Sequence, residues 1–479
     1  MSVAADKPGR HSSLVTHHSS LPFSAARCLL LAALLGAPLA FGAVQPWAWA
    51  SLAFVALLAL LVWAAGNILR GELRILWSPL YVPAALFLLL AAVQYGGGFS
   101  LDAVATREAL VKLAAGFIFF FLAAQLFAAP RPSIRDHSAI PRLQPPASGP
   151  TLDLGPWTLD RAGPTLDLGP WTSVYAFALG LFAILQFFTS RGLIYWTIKP
   201  RWGGWVVGPY VNHNHYAGLM EMLIPLAAMY ALGRPVERAR RVLLGFAVAV
   251  PIASLLLSGS RGGFLALLVE IVVFTAILWS SIRNPQSAIR NRQLRIPHSS
   301  LPLAVALALL SAALLFFWMD PGNISRRLAT VFGVGVSYDE LVAERREASL
   351  GALRIFGAHP GLGTGLGSFE MVFPRYRRTP SDLLWDHAHN DYAEALAETG
   401  LVGALLILWS LVLFFNSAFR TPHSALGSTL DPLRLGAALG CIGLLVHSLV
   451  DFNLHIPANA AWFAFCAGLA IARGEGSCV

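Results

Sequence analysis

The sequence predicts an all-α polytopic membrane protein of about twelve transmembrane helices, with one large external loop that carries short helices. Three observations point there. Of 479 residues, 56% are hydrophobic and only 12% are charged, where a soluble chain carries about 25%. The mean hydropathy is +0.63. Apolar runs recur from end to end, many of them close to the roughly 20 residues a spanning helix needs.

Residues 1–27 are polar and precede the first apolar run, which begins at Cys28. They read as a disordered cytosolic tail and not as a cleavable signal peptide. Candidate spans follow at roughly 28–44, 47–69, 77–94 and 109–129, which form an N-terminal transmembrane group. Residues 130–171 form a Pro-rich cytosolic insert in which "GPTLDLGPWT" occurs twice, at 149–158 and 163–172. Two copies are too few for a solenoid, so the repeat reads as a local duplication in a tolerant loop. A central group spans 172–189, 216–232, 241–257, 262–282 and 302–319. Residues 320–399 are the large loop, and 400–418, 432–450 and 457–473 complete the chain within a C-terminal group over 400–479. The four cysteines, Cys28, Cys441, Cys466 and Cys478, avoid the large polar loops. They imply neither a disulfide framework nor a cysteine-based metal site.

The net charge of +9 is mainly a topology signal. With the N-terminus in the cytosol and twelve alternating spans, cytosolic segments hold twenty Lys and Arg, and the short external loops hold five. The positive-inside rule then puts both termini in the cytosol. With that parity the chemically unusual segments all face outward: "VNHNHY" (211–216), "SGSRGG" (258–263), "DHAHND" (386–391) and "DFNLH" (451–455).

The large loop carries its own helix signals. Ser337 to Glu340 fits the S-x-x-E capping box. Leu341, Ala348, Leu350, Leu353 and Phe356 then mark an amphipathic helix ending near Gly357. The Gly-rich run 359–369 breaks it, Phe369 to Arg377 forms a short helix, and 391–399 leads as helix into the tenth span.

Asp386, His387, His389, Asn390 and Asp391 concentrate acid–base chemistry in six residues. A histidine can take a hydroxyl proton while a nearby carboxylate orients it, so this segment suits a general base. Two alternatives stand beside that reading: a metal site, although the spacing matches no zinc signature, and a merely solvated polar loop. Arg261 lies in a short loop among Gly259, Gly262 and Gly263, which leave room for an anion; it either forks to phosphate or anchors the helix at the interface. The large loop has eight Arg and no Lys, but the whole chain has 31 Arg and 3 Lys, so residue type alone says little. Arg354, beside the Gly-rich run, is the best placed of them. Asn214 and His215 open the sixth span, as a ligand site or simply as a polar helix start. Lys112, Glu221 and Glu270 fall inside spans without forming a spaced series, which weakens a flippase or other transporter reading.

Taken together, "NHNHYAGLMEMLIPLA", "LLLSGSRGGFLAL", "HPGLGTGLGSFEMVFPRYR", "HAHNDYAEALAETGLVG" and "HSLVDFNLHIPANA" resemble the O-antigen ligase/polymerase superfamily of bacterial envelope proteins over about residues 170–470. The resemblance implies a GT-C-like membrane glycosyltransferase of the inner membrane, acting at the periplasmic face. Its donor would be a glycan on undecaprenyl pyrophosphate, transferred with inversion to a hydroxyl of lipid A core, of a growing chain or of a protein. It implies no metal and no other cofactor, and no nucleotide, since the donor is already activated. The family's loop histidine carries over onto His389, its membrane-boundary arginine onto Arg261, and an arginine ahead of the Gly-rich run onto Arg354. Arg201 is a further candidate for the pyrophosphate. Asp386, His387, Asn390, Asn214 and His215 would support the site. Ligase, polymerase and protein-directed transferase are not separated by these motifs.

Overall fold

The computed structural model describes residues 21–73, 75–127, 157–160, 163–166, 168–200, 206–233, 238–283, 338–379, 384–419 and 431–472. Its helices are α1 (Leu21–Leu39), α2 (Pro46–Arg70), α3 (Tyr81–Gly96), α4 (Ala103–Leu126), α5 (Leu168–Thr189), α6 (His213–Leu232), α7 (Arg238–Ser258) and α8 (Arg261–Arg283). In the large loop lie α9 (Tyr338–Ala358) and the short α10 (Phe369–Val372); α11 (Asp391–Phe419), α12 (Pro432–His447) and α13 (Pro457–Ile471) follow. Eleven of the twelve expected spans fall on these helices; the twelfth, 302–319, lies outside the described residues. Among the described residues, six helices are long and apolar enough to cross a membrane: α1, α2, α4, α5, α7 from Arg240, and α11. The shorter α3, α12 and α13 are apolar too.

One expected boundary is corrected. The first helix begins at Leu21, inside the stretch read as a polar tail. Arg27 is accommodated because its Nε donates to the Leu126 carbonyl at 2.9 Å and its guanidinium lies 5.9 Å from the Phe127 ring centre. The fold is helical as expected, and within the insert, read as loop, two short segments pair. Trp157–Asp160 (β1) and Gly163–Leu166 (β2) pair antiparallel with Asp160 opposite Gly163. The hairpin joins the end of one repeat copy to the start of the next, and α5 starts at Leu168, still within the second copy.

Between helices in lipid there is little hydrophobic driving force, so close packing and buried polar contacts must hold the bundle. Small residues do this on α12. A Cβ at Gly436 would sit 2.7 Å from the Pro225 carbonyl oxygen of α6, and one at Gly440 would sit 2.8 Å from Met222 Cα. Trp462 of α13 donates to the Leu34 carbonyl at 2.8 Å, tying the C-terminal helix to α1. Large apolar side chains such as Phe54, Leu61, Leu405 and Val412 are exposed on the outer faces of α2 and α11, as lipid contact requires.

The large loop folds onto the head of α11. Ala348, Ala352 and Ile355 of α9 pack with Phe369, Phe373, Trp385 and Ala388 into a small core of their own. The Gly-rich run takes positive φ at Gly363, Gly365 and Gly367 and wraps Glu398. The amides of Gly367 and Phe369 donate to the Glu398 carboxylate at 2.8 and 2.9 Å. This nest of backbone N–H groups therefore holds a carboxyl group of its own chain. Opposite it, Gly400 interrupts α11 at φ 62°, ψ −161°, a region open essentially to glycine alone. Gly400→Ala is expected to cost about 1–3 kcal/mol from the backbone alone, and more because the new Cβ would collide with the Gly361 carbonyl. A thermal unfolding midpoint equal to that of the unaltered protein would contradict this.

Candidate functional site

The starts of α6, α8 and α11 meet the end of α12 at one end of the bundle. The segment after α12, residues 448–456, runs between them and ends in a 3₁₀ turn, Asn453–His455. Asp451 is the hub of that segment and is buried. Asn214 Nδ2 donates to its Oδ2 at 2.6 Å, and its Oδ1 accepts from the Phe452 amide at 2.9 Å. The same Oδ1 lies 3.4 Å from His389 Nδ1 and 3.8 Å from His215 Nε2. Burial alone would raise the Asp451 carboxyl, but the imidazoles of His215 and His389 hold it well below the ordinary carboxylate range. It is therefore an anion at neutral pH.

His389 stands in the left-handed backbone region, φ 51°, which histidine enters more readily than most residues. Its ring is set edge-on to Trp385 and Phe452, with centroids 5.2 and 4.9 Å away. The buried Nδ1 makes no hydrogen bond and faces Asp451. That orientation leaves Nε2 as the nitrogen able to take a proton, with Asp451 placed to hold the Nδ1 proton as the pair tightens. Asn390 fixes the backbone on the other side. Its Oδ1 accepts from the amides of Tyr392 and Ala393 at 3.1 and 2.9 Å, and its Nδ2 donates to the Leu449 carbonyl at 2.9 Å. It thus caps α11 and staples it to the segment that carries Asp451.

His387 belongs to an adjoining set. Its Nδ1 lies 2.7 Å from Glu394 Oε1, and its ring stacks on Phe452 at 4.3 Å. His455 places Nδ1 2.7 Å from Asp391 and Nε2 3.2 Å from Glu394. Burial would lower the His455 pKa, but the charge of Glu394 and the hydrogen bond to Asp391 outweigh it and hold the group at about 10. The Phe452 ring thus packs against three imidazoles, those of His215, His387 and His389. Asp386 is exposed and takes no part in these contacts among the described residues.

Arg261 is exposed at the first position of α8. The residues around it are seated deeply. Ser260 Oγ accepts from the Gly263 amide at 3.1 Å and lies 3.5 Å from His447 Nε2. His447, 1% exposed, pairs through Nδ1 with the buried Glu221 at 2.7 Å. Gly262 packs directly on the His447 ring, where no Cβ would fit. Because the Asp451 amide donates to the His447 carbonyl at 3.1 Å, one line of contacts runs from the start of α8 to Asp451 and His389.

Arg354 is placed differently from the expectation of a waiting phosphate ligand. Its guanidinium forks onto Glu347 at 2.8 and 2.9 Å and donates to the Tyr376 carbonyl at 2.7 Å. Hydrogen bonds from Arg354 hold the Glu347 carboxyl at about 2. Arg354 therefore braces α9 against the turn that follows α10. Arg201 lies outside the described residues. No role for Asp451, Phe452, Glu394, His455 or His447 follows from the sequence alone. Four of them lie in "HSLVDFNLH", a segment far from "DHAHND" in the chain, and Glu394 lies three residues after "DHAHND".

Fold and site define a multi-pass helical membrane protein with an acid–base cluster at one end of its bundle. Residues 246–408 match the family model described as O-antigen ligase, which supports a likeness to the O-antigen ligase superfamily over about a third of the chain. The match includes Arg261, Arg354 and His389 and ends before Asp451. No curated protein matches the chain.

Proposed function

We propose that the protein transfers a glycan from undecaprenyl pyrophosphate to an acceptor hydroxyl at the periplasmic face of the inner membrane, with inversion, as an O-antigen ligase does with lipid A core. The observation that carries the proposal is the His389–Asp451 pair at the end of the bundle where Arg261 opens α8. His389 Nε2 takes the acceptor O–H proton. The acceptor oxygen bonds to the anomeric carbon, the bond from that carbon to the pyrophosphate oxygen breaks, and its electron pair leaves with undecaprenyl pyrophosphate. Arg261 meets the charge that develops on the leaving diphosphate, the use of preorganised cations that lowers such barriers most. Arg354 would join it only by exchanging Glu347 for phosphate, and Arg201 is the further candidate of that kind. A growing polysaccharide chain or a protein hydroxyl would use the same chemistry with a different acceptor groove.

Reconstitution tests this. The purified full-length chain in liposomes, given an undecaprenyl-pyrophosphate glycan and a lipid A core acceptor, is expected to release undecaprenyl pyrophosphate and form a glycosidic bond of opposite anomeric configuration. Donor crossing the bilayer without bond formation would overturn the proposal.

A further inference from the structure

Between the start of α8 and the proposed catalytic pair lies a buried polar pair that the transfer reaction does not use. His447 is the last residue of α12 and Glu221 belongs to α6. They are 1% and 0% exposed, and His447 Nδ1 lies 2.7 Å from Glu221 Oε1. We propose that Glu221 and His447 are positioning residues, which seat Arg261 at a fixed place relative to Asp451 and His389. This role rests on the transfer reaction proposed above and adds to it two residues that touch neither donor nor acceptor.

The first turn of α8 is built on this pair. Ser260 caps it, with Oγ accepting from the Gly263 amide at 3.1 Å and lying 3.5 Å from His447 Nε2. Arg261 comes next, and the two residues after it have no room for a side chain. A Cβ at Gly262 would run into the His447 ring and would sit 3.0 Å from Val450 Cγ2. One at Gly263 would sit 2.8 Å from Ala217 Cβ and 3.1 Å from Glu221 Oε1. The backbone that follows Arg261 therefore rests on the imidazole and on the carboxylate. Glu221 in turn fixes the orientation of the ring through Nδ1, and with it the surface on which Gly262 lies. An apolar pair of similar volume would hold these helices about as well, because desolvating an imidazole and a carboxylate offsets what their contact returns. The polar pair supplies one defined geometry instead.

The main chain of His447 serves the other half of the site. Its carbonyl accepts from the amides of Val450 and Asp451 at 2.9 and 3.1 Å, which starts the turn that brings Asp451 to His389. One residue thus sets the start of α8 with its ring and the place of Asp451 with its carbonyl. In the proposed reaction the base and the leaving-group cation act on opposite sides of one anomeric carbon. A displacement of about 1 Å between such groups can cost about 10²-fold in rate.

Kinetics of paired variants test this, with the purified full-length chain in liposomes, an undecaprenyl-pyrophosphate glycan as donor and lipid A core as acceptor. His447→Ala is expected to lower kcat/KM for the donor by about 10²-fold. In the Arg261→Ala chain the same change should cost no more than about twofold, because the group it positions is gone. His447→Asn should recover part of the loss, since its amide nitrogen can replace Nδ1 toward Glu221. A role confined to folding would give equal losses with and without Arg261. Equal losses, or a His447→Ala chain with the kcat/KM of the unaltered protein, would overturn the assignment and leave the transfer reaction standing. If His447→Ala fails to fold, Glu221→Gln carries the same comparison, with its loss again confined to the chain that has Arg261. No glycosidic bond formed by the unaltered chain would overturn the transfer reaction and this assignment with it.

Discussion

Replacing His389 by alanine is expected to lower glycan-transfer turnover by about 10²–10⁴-fold, the usual worth of a positioned general base. The fold should survive, because the ring packs at the edges of Trp385 and Phe452 and makes no hydrogen bond through Nδ1. The backbone at this position has φ 51°, so alanine also brings a conformational cost. His389→Asn separates the two effects, since asparagine tolerates the left-handed region but cannot accept the proton. Both variants should lose turnover, and His389→Asn should keep the thermal midpoint of the unaltered protein. Donor KM should change little in either, because the diphosphate is met by arginine. Retained turnover in His389→Asn would remove this residue from the chemistry.

Asp451→Asn is expected to lower turnover nearly as much, by about 10²–10⁴-fold, although Asp451 touches no substrate in the proposed reaction. In the proposed reaction the carboxylate, 3.4 Å from His389 Nδ1, closes onto that nitrogen and stabilises the imidazolium as it forms; an amide of the same shape would do neither, and in a serine-protease triad that exchange costs about 10⁴. The hydrogen bond from Asn214 would have to adjust as well, since the introduced amide can turn its NH₂ group toward that donor. The readout that separates orientation from general damage is the kinetic split: kcat falls while donor KM holds, and Asp451→Glu recovers part of the loss. A fall confined to KM would contradict the assignment.

Much of the architecture was legible because it rests on simple solvent physics. Apolar runs of spanning length mark the helices, and the capping signal and the apolar spacing behind it locate α9 over Tyr338–Ala358, close to the expected end at Gly357. The positive-inside rule places four polar segments on one face, and contacts in the structure join residues from all four at one end of the bundle: Asn214 and His215, Ser260, His387 and His389, and Asp451 and His455. The pairing within that face was not legible. Asp451 lies 62 residues beyond His389, and only the return of the chain through α11 and α12 brings them together. Phe452 lies in the outward segment 451–455 with no sequence signal of its own, yet its ring packs against three histidines. The partner of Arg354 was legible but not read: Glu347 lies two helical turns before it on the same face of α9, and it occupies the guanidinium. The hairpin was missed because Pro and Gly in the repeat read as loop, although Gly163 and Pro164 themselves pair, with Asp160 and Leu159.

In the proposed reaction His389 and Arg261 work on the same lipid-linked diphosphate donor from the same side of the membrane. Single cysteines placed at 261 and at 389, in a chain otherwise free of cysteine, can be probed with a membrane-impermeant maleimide on spheroplasts and on inverted vesicles. Both positions should label on spheroplasts and be protected in inverted vesicles; labelling of the two from opposite sides would contradict the site.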